Sequence, residues 1–403
     1  MNKFSKFHAI PLFLAGSLAL GLAGCGGGGG GSSTAVSPTG TANVLLTDSP
    51  ACGYDHVYVT VDHVEISADG TSWTIIPVSS SVAQPIDLLN LTNGALLSLG
   101  EAPLAAGTYQ QVRLVLKANG SSAPWANAVV LTGSTGETAL TTPSGQQSGY
   151  KIVGPFTVQA GTLADLVLDF NACKSIVVAG ASGQYLLKPV VTAVAQTVSG
   201  SISGAARAGS QVFAEQQSGT GPVIVTGTVA DPTTGVFTLS PIQESSAGGA
   251  VDIVIVPPAP ASGTAGYVTN IVQNVPVTAG STTSIGAITP AASTINTASG
   301  TVTVSGSLGA ANLVADQAVT STTRTYEILA TATTTGPYSM PLAASGLGLG
   351  TYSTTLPIVF TQDTATTDAG IYSIIATDAA GTISPQSANV SGGSVILNFT
   401  LTP

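Results

Sequence analysis

Apolar and polar residues alternate with period two in many short runs along the chain. Val57, Val59 and Val61 form one face of such a run, and the apolar positions then move to Val64 and Ile66. A period of two puts successive side chains on opposite faces of a strand. The one-residue slip predicts a β-bulge at Asp62–His63. Further strands are predicted at Val44–Thr47, Trp73–Val78, Gln111–Lys117, Val129–Thr132, Tyr150–Val158, Leu163–Phe170 and Leu186–Gln196. Turn signals separate them, among them Asp48-Ser49-Pro50 and the hairpin dipeptide Asp69-Gly70. Residues 86–99 are expected to hold one short helix. Gly346-Leu347-Gly348-Leu349-Gly350 reads as a hairpin turn; no lysine follows it, so it is not a phosphate loop.

The second half repeats itself. Val198-Ser199-Gly200-Ser201-Ile202 resembles Ala298-Ser299-Gly300-Thr301-Val302, and Thr234-Gly235-Val236-Phe237 resembles Thr335-Gly336-Pro337-Tyr338. The run from Val277 to Pro290 aligns without gaps to the run from Val390 to Pro403. Two repeats of about 100 residues suit small antiparallel sandwiches. The expected fold is all-β: an antiparallel β-sandwich over 42–197, then one β-sandwich repeat over 198–296 and a second over 297–403.

The start of the chain follows a different pattern. Lys3 and Lys6 precede an apolar run from Ile10 to Leu20, and Leu22-Ala23-Gly24-Cys25 closes it. The run is shorter than the ~20 residues needed to span a bilayer, so it reads as a signal peptide, residues 1–24. The last four residues resemble a lipobox. That resemblance implies cleavage before Cys25 and a lipid on its thiol. Gly26 rather than Asp after the cysteine implies, by the same resemblance, an outer-membrane destination, periplasmic or surface-facing. Residues 25–41, with Gly26–Gly31 and then Ser, Thr and Pro, form a linker with a typical reach of about 20–25 Å. No later apolar run is long enough to predict a second membrane segment.

Composition sharpens this picture. Charged residues make up 7% of the 403 and hydrophobic ones 44%, against about 25% charged in average proteins. Apolar residues are thus plentiful enough for packed cores, while the residues of long surface helices are scarce. The net charge is −10, and both signal-peptide charges are basic. No basic footprint for nucleic acid exists. Besides Cys25 the cysteines are Cys52 and Cys173. In an oxidising envelope two such thiols are expected to pair as a disulfide. The alternatives are free thiols or a metal pair, and the latter lacks histidines.

Candidate chemistry is thin. Beyond His8 the histidines are His56 and His63, with no G-x-S-x-G elbow to supply a nucleophile. Asp48, Asp55, Asp62, His63, Glu65 and Asp169 are candidate cation ligands without calcium-loop spacing; turn capping and solvent exposure explain them as well. The polar loop 142–151 offers Thr142, Ser144, Gln147, Tyr150 and Lys151 to a protein or carbohydrate ligand. A turn entering a strand also accounts for Pro143 and Gly145 with no ligand. No cofactor fingerprint is present.

Several of these segments carry a family resemblance. Leu46-Thr47-Asp48-Ser49-Pro50, Ile86-Asp87-Leu88-Leu89 with Thr92-Asn93-Gly94, Gly107-Thr108-Tyr109 with Arg113-Leu114-Val115-Leu116, Gly149-Tyr150-Lys151, Leu168-Asp169-Phe170 and Leu187-Lys188-Pro189 resemble a bacterial lipoprotein domain, domain of unknown function 4382. The resemblance implies a secreted β-sandwich and brings no activity. Asn171 stands where that family often has a second Asp, which weakens an acidic cation site. The two repeats look like transthyretin-like, carboxypeptidase-regulatory-type domains. The expected role is therefore a non-enzymatic lipoprotein of the cell envelope, binding or spacing. The alternative is a periplasmic or surface hydrolase with an unrecognised site.

Overall fold

The computed structural model describes residues 38–49, 54–142, 149–179, 184–196, 199–219, 221–243, 250–260, 262–378 and 380–402. The signal peptide, Cys25, most of the linker and Cys52 therefore lie outside the described residues.

Among the described residues, fourteen strands, one α-helical turn and two 3-10 turns make up the first part. In chain order the strands and the α-helical turn are β1 (Thr39–Ser49), β2 (Tyr54–Val59), β3 (Val61–Ser67), β4 (Thr74–Pro77), β5 (Ile86–Asp87), β6 (Leu97–Ala105), β7 (Gly107–Leu116), β8 (Ala128–Leu131), β9 (Glu137–Thr141), β10 (Tyr150–Val158), β11 (Leu163–Asn171), α1 (Ala172–Ser175), β12 (Ile176–Ala179), β13 (Gln184–Leu187) and β14 (Val191–Ala195). They form three sheets with orders β14-β11-β1-β6, β10-β7-β3-β4 and β12-β13-β9-β8-β2-β5. Most neighbours run antiparallel, but β1 with β11 and β9 with β13 are parallel. Leu46, Ile66, Leu99, Leu114 and Phe170, all nearly or fully buried, belong to one core. Each contributes about 1.5–3 kcal/mol of apolar burial.

The alternating run 57–66 divides between two sheets. Its inward residues Val57, Val59, Val61, Val64 and Ile66 are all buried, and the β3–β7 register slips between Val61 and His63, as the sequence pattern requires. Thr60 is the corner at which the chain changes sheets. Its N–H donates to Asn127 Oδ1 (3.2 Å) and its hydroxyl to Ala126 O (2.7 Å), which satisfies the backbone where the ladder breaks.

Two expectations change here. Residues 86–99 form a two-residue strand, a 3-10 turn at Leu88–Leu91 and the start of β6 rather than a helix. Asp87 caps the turn through Leu89 N, and Asn93 and Gly94, both at positive φ, end it. The single strand expected at 186–196 is two, because Pro189 has no N–H to give a ladder.

The repeat noted in the sequence is a repeat of topology. The first copy holds β15 (Ser199–Ala205), β16 (Gln211–Ser218), β17 (Gly221–Val229), β18 (Val236–Gln243), β19 (Ala250–Val256), β20 (Thr264–Tyr267), β21 (Asn270–Pro276) and β22 (Thr282–Ala287). The second holds β23 (Ala292–Val304), β24 (Ser307–Leu308), β25 (Ala311–Val319), β26 (Arg324–Thr333), β27 (Pro337–Ala343), β28 (Gly348–Thr351), β29 (Thr361–Gln362), β30 (Ile371–Thr377), β31 (Ile383–Asn389), β32 (Val395–Ile396) and β33 (Phe399–Leu401). In the first, β15 pairs antiparallel with β18 and parallel with β22; in the second, β23 does the same with β27 and β33. The opposing sheets are β17-β16-β19-β21 and β26-β25-β30-β31. A Cβ at Gly200 would overlap the Thr278 carbonyl oxygen, and one at Gly300 the Leu397 carbonyl oxygen. Both repeat-matched glycines are required by close backbone approach.

The two copies exchange edge strands. β28 of the second adds in parallel to β21 of the first, and β20 of the first adds antiparallel to β23. The boundary expected between residues 296 and 297 falls inside β23, and residues 38–403 form one compact unit. The Gly346–Gly350 run is thus not a hairpin turn: residues 348–350 are strand. Cβ atoms there would strike the Asp363 backbone from 346 and the Asn270 side chain from 348. A buried network joins the copies. Arg324 Nη1 spans both oxygens of Asp252 (2.9 and 2.8 Å), Tyr326 donates to Asp252 Oδ2 (3.0 Å), and Gln273 donates to Tyr326 (2.8 Å). Burial alone would depress the Arg324 guanidinium; the Asp252 charge and the contacts with Tyr326 and Asp252 together outweigh it and hold the group above its ordinary range.

Candidate functional site

The outward face of β10-β7-β3-β4 gathers the richest set of side chains. Cross-strand register aligns Lys151, Arg113, Glu65 and Ile75 in one row, and directly opposed residues share a face. The bulge before His63 brings His63 and Glu65 onto that face. Glu65 lies between two cations or potential cations: Arg113 Nη1 is 3.4 Å from Oε2 and His63 Nε2 is 3.5 Å from Oε1. His63 Nδ1 also meets Asp62 Oδ2 at 2.7 Å. The Arg113 guanidinium lies 3.6 Å from the centre of the Trp73 ring, a cation–π stack. Ile75 beside them is 57% exposed, so an apolar spot adjoins the charged row.

The hairpin that carries Trp73 is held by its turn. Asp69 accepts N–H bonds from Thr71 (2.8 Å) and Ser72 (2.7 Å), and Gly70 sits at φ +76°. These bonds, with Ser72 the strongest, hold the Asp69 carboxyl well below the usual range.

The loop residues nominated from sequence separate. Ser144 and Gln147 lie outside the described residues. Thr142 is buried. Tyr150 is half-buried and donates to Leu187 O (3.0 Å); burial pushes its phenol up to about 12. Among the described residues of the set Lys151 stands exposed, and it stands in the row with Arg113. Trp73, Arg113 and Ile75 were not singled out from sequence. The signal for them was the parity of their strands, which places residues 65, 75 and 113 outward.

The remaining candidates are apart. His56, on β2 in another sheet, meets Asp87 Oδ2 at 2.7 Å and stacks on Tyr58. Thr47 is in register with Asp169, so Asp48 faces the opposite side of the sheet from Asp169. Asp48 is buried and accepts the Ala172 N–H (3.0 Å). Asn171 caps α1 through Lys174 N (2.9 Å). Among the described residues no group of three His, Cys, Asp or Glu is placed to hold a metal ion. Cys173 falls in α1, and its proposed partner Cys52 lies outside the described residues. Among the described residues no helix is long and apolar enough to cross a membrane.

Residues 39–189 match the family model described as "Domain of unknown function (DUF4382)". No curated protein matches the chain. Among solved structures, the Bacillus anthracis TIE protein is 11% identical at a TM-score of 0.17, covering 91% of this chain. The chain spans half the length of that protein. The shaft pilin spaA from Lactobacillus rhamnosus GG is 8% identical at a TM-score of 0.17, over 51% of this chain and 98% of its own. A streptococcal ancillary pilin is 8% identical at a TM-score of 0.18, over 90% and 99%.

Proposed function

We propose that this chain is a lipid-anchored cell-envelope protein that displays a binding face and does not catalyse a reaction. The observation that carries the reading is Leu22-Ala23-Gly24-Cys25, followed by Gly26–Gly31 and, from Thr39, by a succession of β-strands among the described residues. The lipid on Cys25 would hold the protein at the outer membrane, and the glycine run would set the folded part off the surface. Edge strands exchanged between the repeats suit a spacer, because neither copy turns freely against the other. The row Lys151–Arg113–Glu65 with Trp73 and Ile75 suits a protein or carbohydrate ligand, since it offers charge, an aromatic face and an apolar spot together. The kinship of 39–189 with secreted lipoproteins, and of the repeats with transthyretin-like domains, belongs to the same reading.

Cell fractionation tests it. Wild type is expected in the membrane fraction and Cys25→Ala in the soluble one. Glycan and peptide arrays probed with the soluble form should give binding that Arg113→Ala removes. A wild-type protein found wholly in the soluble fraction overturns the reading. The hydrolase alternative draws on His63 between Asp62 and Glu65; turnover of a hydrolase substrate that vanishes in His63→Ala would favour it.

A further inference from the structure

Three carboxylates meet where the family domain and both repeats come together. Glu215 of β16 is fully buried; its Oε2 lies 3.4 Å from the Glu327 N–H donor and its Oε1 has no hydrogen-bond partner. Asp316 of β25 stands directly opposite Glu327 of β26, with Oδ1 buried and likewise without a partner. Like charges in direct register repel. From the family domain, Lys174 of α1 reaches across, its Nζ 3.4 Å from Glu327 Oε2. The other elements packed on the group add no free countercharge. On β19, Asp252 stands opposite Glu215 but is held by Arg324 and Tyr326. β17 places Ile224 opposite Glu215, and β30 places Ser373 opposite Asp316. Three acids thus face one available cation among the described residues.

We propose that Glu215, Asp316, Glu327 and Lys174 form a proton-linked latch that holds the family domain against the repeats in mild acid and releases it in base. Lys174 offsets one carboxylate. The other two remain packed only while they carry protons, because a buried unpaired carboxylate is far costlier than its neutral form. Burial, then the neighbouring Glu327 charge, raises Glu215 to about 9 and Asp316 to about 7. The Lys174 charge lowers both by less than burial raises them. Opening withdraws that charge and admits water to the carboxyls; relief of burial is the larger effect, so the closed state binds protons that the open state releases. Closure is therefore strongest below about pH 4. It weakens as pH rises, until Asp316 titrates near 7 and Glu215 near 9. Other joints between the same parts include a polar one, where Asn93 accepts the Thr238 N–H (2.7 Å) and donates its own N–H to Thr228 Oγ1 (2.5 Å), and an apolar one, where Ala310 packs into the first core. Water can replace such bonds once the latch opens.

Trypsin cleavage after Lys174 reads the opening directly in the full-length protein. Rates are normalised at each pH to an unstructured peptide of the same sequence. Between pH 7.5 and 8.5 the wild-type rate should rise about tenfold per pH unit, one proton being released on opening. Glu215→Gln, which keeps the shape and cannot ionise, should be flat over that range. As a second variant, Lys174→Met should lower the thermal midpoint more at pH 8.5 than at pH 5.5, whereas a purely packing role for Lys174 would lower it equally. Equal pH profiles for wild type and Glu215→Gln overturn the latch. If Glu215→Gln does not fold, a Lys174→Met midpoint shift independent of pH overturns it.

Discussion

Glu215 and Asp316 occupy the same position in two copies of one sandwich. Each is the residue at which its pairing slips register, between Ala214 and Glu215 of β16 in one copy and between Ala315 and Asp316 of β25 in the other. The extra residue of each slip lies on the facing strand, Val225 of β17 and Ile328 of β26. Both acids are charge neighbours of Glu327, which raises each of them.

Breaking the Arg324–Asp252 pair should be costly. Asp252 is 5% exposed, and without the guanidinium its charge is left buried. Removing one member of a buried pair costs about 3–5 kcal/mol; because Arg324 is partly exposed, Arg324→Met is expected near the lower end. Urea unfolding measures it. The double variant Arg324→Met, Asp252→Asn should recover part of the loss, and a single variant within experimental error of wild type would contradict the account.

Glycine substitutions discriminate close approach from ordinary loops. Gly300→Ala forces a methyl into the Leu397 carbonyl, whereas Gly392 has open space around it. We expect at least about 2 kcal/mol of destabilisation for Gly300→Ala and less than about 0.5 kcal/mol for Gly392→Ala. Thermal unfolding of the two side by side decides the matter.

The hairpin carrying Trp73 should weaken in acid. Its cap, Asp69, has a folded-state pKa below its unfolded value. Its contribution is present above the unfolded value and lost as pH falls through the folded one. Amide exchange at Thr71 and Ser72, corrected for intrinsic rates, should lose protection below about pH 4. In Asp69→Asn the protection should no longer change with pH.

Parts of this architecture were legible because local chemistry dictates them. The slip from Val61 to Val64 announced the bulge, and Ser199-Gly200 with Ser299-Gly300 announced the repeat. The Gly346–Gly350 run was misleading. Its glycines answer to Asp363 and Asn270, neighbours that no local pattern reveals. The exchanged strands β20 and β28 are four residues each, too short for a period to show. The row Lys151–Arg113–Glu65 was half legible: parity put each residue outward, but only the register of three separate strands aligns them.

The two remaining cysteines give a further expectation from sequence. A Cys52–Cys173 bond would close a loop of roughly 120 residues, worth about 4–5 kcal/mol in the chain-entropy model. Non-reducing peptide mapping should recover the two peptides linked, and their recovery as separate thiols would refute the pairing.

The central claim, a displayed protein held by lipid, is tested most directly by intact mass measurement of the protein extracted from membranes. The account predicts a chain that begins at Cys25, lacks residues 1–24 and carries the added mass of a diacylglyceryl group. An unmodified Cys25 would contradict it.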